Sequence, residues 1–121
     1  MKMLLREQFD QQTLLELFWT EPIKSIPEDG YCCYEAKDST GTRLLFGIDT
    51  INKSIQIELK NLEHHFLSLT YELVDFLEII DLKQGKFTIT VAPKIAEIHT
   101  QIQIELRPYI KIKGYTLSQE G

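Results

Sequence analysis

Apolar residues recur at every second position along much of this chain, and that period commits it to β-sheet. Ile55, Ile57 and Leu59, then Phe87, Ile89 and Val91, then Ile102, Ile104 and Leu106 all alternate with polar neighbours. Successive side chains on a strand point to opposite faces, so each run buries one face and wets the other. A helix would need apolar residues at spacings of three and four, which these runs lack.

The alternation and the turn chemistry between runs predict strands over residues 31–36, 42–49, 54–60, 66–70 and 86–91. Asp38-Ser39-Thr40-Gly41, Thr50-Ile51-Asn52-Lys53 and Gln84-Gly85 carry the residue types that reverse a chain. The strands on either side of Thr50 to Lys53 read as a hairpin. Even-numbered apolar residues from Ile98 through Ile112 keep one parity, which predicts one long strand over 98–112. Pro108 should bend or bulge it, because proline donates no ladder hydrogen bond. The segment 71–81 interrupts the rhythm. It reads either as a helix or as a turn followed by a buried strand over 76–80, and the direct return through Gln84-Gly85 favours the strand.

Before the strands, residues 6–19 predict a helix. Phe9, Leu14, Leu15, Leu17, Phe18 and Trp19 supply its apolar stripe, while Thr13 and Glu16 have the spacing of a capping box. Pro22 and Pro27 then break the chain, and Glu28-Asp29-Gly30 reads as a turn. No connection between strands is long enough for a helical crossover, so the sheet should be antiparallel. The expected fold is α+β and mainly β, with the helix packed on a curled antiparallel sheet of about six to seven strands. The sheet should occupy about residues 31–113 of a single domain spanning 1–121, since domains usually run from about 50 to 250 residues.

Composition narrows function mainly by exclusion. Hydrophobic residues make up 43% and charged residues 26% of the chain, as in ordinary globular domains. The net charge of −5 and the lack of a basic tract argue against nucleic acid as a partner. Arg107, Lys111 and Lys113 form the nearest basic grouping, and Glu105 adjoins it, so it reads as a solvated face. The apolar run at Met3-Leu4-Leu5 is far shorter than the roughly 7–15 residues of a secretory core. No run approaches the roughly 18 apolar residues of a membrane span. The expectation is a cytoplasmic chain with no membrane partner.

Candidate chemistry is sparse. Cys32 and Cys33 are adjacent, too close for an unstrained mutual disulfide, and read as free thiols of a reducing compartment on opposite strand faces. Asn52-Lys53-Ser54 matches a glycosylation acceptor but reads as a turn. His64 and His65 are neighbours and His99 is distant, whereas a zinc site needs three or four converging ligands. No nucleophile elbow or phosphate-cradling loop occurs, so the expectation is a non-enzymatic protein without metal or cofactor. The most regular polar feature is Glu72, Asp75, Glu78 and Asp81, spaced by three. As a docking surface these carboxylates would steer and orient a basic partner.

The runs Leu44-Leu45-Phe46-Gly47-Ile48-Asp49 into Ile55-Gln56-Ile57-Glu58-Leu59, and Leu77-Glu78-Ile79-Ile80-Asp81 before Gly85-Lys86-Phe87, sit in a short acidic chain. In this the sequence resembles bacterial immunity proteins of contact-dependent or polymorphic toxin systems, over residues 44–91. The resemblance implies a protein partner, a toxin domain that is often basic, whose active site is occluded. The expected partner contacts are Glu72, Asp75, Glu78 and Asp81, with Glu35 and Asp38 second. An alternative is a structural domain that forms a homodimer by pairing the strand 98–112 with its copy; a small enzyme is a further one.

Overall fold

A computed structural model describes residues 2–4, 10–92 and 98–118 of the 121-residue chain. Within them lie ten strands and one α-helix: β1 (Lys2–Leu4), α1 (Gln11–Phe18), β2 (Lys24–Ile26), β3 (Tyr31–Lys37), β4 (Thr42–Asp49), β5 (Ser54–Asn61), β6 (His64–Tyr71), β7 (Val74–Asp81), β8 (Lys86–Val91), β9 (Ile98–Glu105) and β10 (Lys111–Ser118). A single 3₁₀ turn, Pro27–Asp29, joins β2 to β3.

The strands form two antiparallel sheets of five, not one curled sheet of six or seven. Sheet I has the order β1-β7-β8-β9-β10 and sheet II the order β2-β3-β4-β5-β6. Sheet II is a plain meander. The chain leaves it after Tyr71 and enters sheet I at Val74, through Glu72 and a Leu73 with φ of 58°. β6 and β7 are neighbours in sequence but lie in different sheets, because the apolar face of each sheet needs the other as cover. Alternation within each strand is the same in either arrangement, so the sequence period could not separate them.

Their inner faces make one core. Across sheet II, Tyr34, Phe46, Ile57 and Leu69 stand in register, as do Cys32, Ile48, Ile55 and Tyr71. Across sheet I, Leu77, Ile89 and Ile102 do the same, beside Phe87 and Ile104. Phe46 of sheet II and Phe87 of sheet I meet edge to face, with ring centroids 5.2 Å apart, a geometry favoured by the aromatic quadrupole.

The helix closes the gap between the sheets instead of lying on one face. Phe18 stacks on Tyr34 at 4.8 Å and also reaches Phe46 at 5.6 Å and Phe87 at 5.8 Å. Leu14 and Leu17 are buried beside it, while Gln11, Gln12 and Glu16 stay in solvent. Asp10, not Thr13, caps the helix, accepting hydrogen bonds from the Gln12 N–H and the Thr13 hydroxyl. Trp19 ends it in the left-handed conformation with its N–H on the Leu15 carbonyl. The expected beginning of the helix at residues 6–9 lies outside the described residues.

The helix is tied to sheet I by Arg107. Its guanidinium donates to the Leu17, Lys83 and Leu82 carbonyls and lies 3.6 Å from the centroid of the Trp19 ring. Burial, opposed by the charge of Asp81, lowers the pKa of Arg107.

The expected single strand over 98–112 is instead a hairpin. The chain turns through 106–110, and β10 folds back along β9 in full register, Lys111 opposite Glu105 and Ile112 opposite Ile104. Parity is preserved through such a turn, which is why the pattern read as continuous. β9 is therefore paired on both sides, with β8 and β10, over residues 100–105, and offers no free edge for pairing a copy there. The free long edges are β6 and β10. The segment 71–81 is the expected turn and strand, with β7 running somewhat longer than 76–80 and bulged near Asp75 and Ile80.

Candidate functional site

One end of the molecule gathers three connections into an acidic, partly apolar surface. The 3₁₀ turn, the β4–β5 turn and the β6–β7 crossover meet there. Gly30, with φ of 65°, packs so tightly on the β4–β5 turn that an added Cβ would stand 2.6 Å from the Thr50 hydroxyl. The Thr50 N–H and hydroxyl both donate to the Gly30 carbonyl. Val74 donates its N–H to the Lys53 carbonyl at 2.9 Å, and Ala92 to the Leu73 carbonyl at 2.7 Å. The crossover is thereby fastened to both sheets.

Asp49 opens the β4–β5 turn, where the N–H and side-chain amide of Asn52 hold its carboxyl below the usual carboxylate range. Glu28, Asp29, Glu72 and Asp75 are exposed around it, with Lys53 as the cation of the turn. Ile51 is 65% and Leu73 47% exposed. Carboxylates around apolar side chains on a braced scaffold can steer a basic protein and then desolvate against it.

The six expected contact residues are dispersed. Glu72 and Asp75 belong to this end. Glu78 lies in β7 opposite Lys2 and Thr88 on the outer face of sheet I. Asp81 stands at the far end of β7, capping the next turn by accepting from the Lys83 and Gln84 N–H groups. Glu35 is on the outer face of sheet II, opposite Leu45. Asp38 accepts from the Thr40 and Thr42 N–H groups and, at 2.9 Å, from the Ile110 N–H of the β9–β10 turn. Burial alone would raise its pKa, but these hydrogen bonds prevail and lower it. Asp38 is a fastener between the two sheets, which its turn-type context concealed in sequence.

The cysteines divide between faces as strand geometry requires, Cys32 opposite Ile48 inside and Cys33 opposite Gly47 outside. The outward Cys33 is nevertheless buried, because Tyr31 folds over Gly47, its hydroxyl oxygen 3.1 Å from where a Cβ would sit. Burial pushes the Cys32 thiol up to about 11 and raises Cys33 as well, so both stay protonated and weakly nucleophilic at neutral pH. Among the described residues, no three His, Cys, Asp or Glu side chains are grouped to hold a metal ion. No helix among them is long and apolar enough to cross a membrane.

The outer face of sheet II carries the feature that sequence reading missed. Lys37, Arg43 and Lys60 stand directly opposite one another on three neighbouring strands, and His65 is opposite Lys60 across a bulge in β6. One rung further along lie Glu35, Leu45, Glu58 and Ser68. These cations are far apart in the chain, so no local basic tract announces them.

No protein-family model matches the chain, and no curated protein matches it. Among solved structures, the chain is similar to a "contact-dependent growth inhibition toxin - immunity protein complex from Klebsiella pneumoniae 342". The superposition has a TM-score of 0.82 at 24% sequence identity and covers 95% of this chain and 100% of the other. At that identity the likeness establishes a shared fold.

Proposed function

We propose that this chain is an immunity protein: a non-catalytic, cytoplasmic domain that binds a cognate bacterial toxin and occludes its active site. The observation that carries the reading is the whole-length likeness to a chain of a toxin–immunity complex, at a TM-score of 0.82. The net charge of −5 supports it. The proposed contacts for a basic toxin domain are Glu72 and Asp75 first, around Ile51 and Leu73, with Glu78 on the adjoining face of sheet I. Glu35 is a contact on the opposite sheet, and Asp38 and Asp81 add charge while bracing their turns.

Co-expression with the toxin domain encoded beside the gene tests this. The wild-type chain should restore growth, and alanine at Glu72, Asp75, Glu78 and Asp81 together should weaken protection at least tenfold. Growth arrest despite the folded wild-type chain overturns the immunity reading. Undiminished protection by the fourfold variant overturns the contact assignment. The free edges of β6 and β10 favour homo-oligomerisation as a second reading, which a strict monomer in light scattering would defeat.

A further inference from the structure

We infer that the outer face of sheet II is a docking surface for an acidic segment of a protein partner, held by the rung Lys37, Arg43, Lys60 and His65. Adjacent strands lie about 4.8 Å apart, so the backbones of three cationic residues stand side by side at that spacing. Like charges directly opposite one another destabilise a sheet. Sheet I avoids this at the equivalent place: Asp81, Lys86, Glu105 and Lys111 alternate in sign across its strands, and Lys111 closes a salt bridge to Glu105 at 3.5 Å. Among the described residues, no cation of the sheet II rung makes a salt bridge. The rung has no carboxylate in register, the nearest being Glu35 and Glu58 one rung away, and carboxylates from outside would pair with it.

The neighbouring rung selects the class of partner. Glu35 and Glu58 lie roughly 7 Å away, two residues along their strands, on either side of Leu45 in register. A phosphate backbone laid on the cations would meet these carboxylates with its own charge. A protein segment can present carboxylates to one rung and donors or cations to the next, with an apolar group on Leu45. Charge complementarity thus favours an acidic protein segment over RNA. That the partner is the toxin of the preceding section rests on that reading; the acidic chemistry of the segment does not.

The test titrates the ¹⁵N-labelled full chain with hexaglutamate and, separately, with hexauridylate at low salt. Hexaglutamate should shift the amide signals of Lys37, Arg43, Lys60 and His65 in a saturable way that fades at 0.3 M salt, as screening requires. Arg43→Glu should weaken that binding at least tenfold while melting no lower than wild type, because it converts a like-charged rung into an alternating one. A purely structural role for Arg43 would instead lower the melting temperature. No shift with hexaglutamate, undiminished binding by R43E, or equal or tighter binding of hexauridylate at these residues overturns the inference. Protection in co-expression without peptide binding sinks the docking surface and leaves the immunity reading standing. Peptide binding without protection does the reverse.

Discussion

The two sheets are alike on their inner faces and differ on their outer ones. At the end where Asp38 of sheet II meets the β9–β10 turn of sheet I, each sheet finishes in a rung of charged residues. The rung of sheet I alternates in sign and closes one salt bridge, Lys111 to Glu105; that of sheet II, Lys37, Arg43 and Lys60, is of one sign. Both rungs lie on outward faces. A fold needs only the first kind of surface, so the second points outward, to something the chain binds.

The largest effects test the likeness of the inner faces. Phe46→Ala and Phe87→Ala remove fully buried rings from opposite sheets, and each should cost about 3–5 kcal/mol in urea unfolding. A loss confined to one of them would show that the sheets do not share a core. Next comes the staple between helix and sheet I. Arg107→Ala removes a cation that donates to three carbonyls and should cost about 2 kcal/mol. Arg107→Lys should recover little, because an ammonium cannot reproduce the planar fork.

Acid should act through the fasteners. Asp38 and Asp49 have folded pKa values below their ordinary one of 3.8. Their contribution is present above the unfolded pKa and is lost as pH falls through the folded value. Thermal melts should therefore decline below about pH 4, and Asp38→Asn should show a shallower decline than wild type. An equally steep decline would assign the acid sensitivity elsewhere. The smallest effects bear on the comparison itself. Lys111→Glu breaks the alternation of sheet I and should destabilise by about 0.5 kcal/mol, whereas Arg43→Glu creates alternation in sheet II and should stabilise by a similar amount. Changes of the same sign in both variants would erase the contrast.

Much of this fold was legible from residues. The hairpin of residues 42–49 and 54–60 and the turns at Asp38–Gly41 and Thr50–Lys53 follow from alternation and turn chemistry, which are local; within 71–81, where alternation fails, only the direct return through Gln84-Gly85 favours a strand over 76–80. The pairing of β9 with β10 was not legible, because a turn at Pro108 preserves parity and imitates a bent strand. Nor were the short strands β1 and β2, three residues each, too brief to show a period. Of the expected contacts, Glu72 and Asp75 share an end of the molecule, while Asp38 and Asp81 are committed to turns and Glu35 lies on the other sheet; their placement depends on pairing that no local pattern shows.

By itself, then, the sequence determined which side chains of the regularly alternating strands β5, β8 and β9 face inward, since that depends on a two-residue period and nothing else. It also determined the chain's acidity and its scarcity of clustered chemistry. Only the tertiary structure decided that the ten described strands divide into two sheets, that Phe18 plugs the gap between them, and that Lys37, Arg43 and Lys60 align into one like-charged rung. The physical reason is register: charges 6 to 17 residues apart in the chain become neighbours at about 4.8 Å only once strands pair, and pairing is set by a core that no local pattern describes.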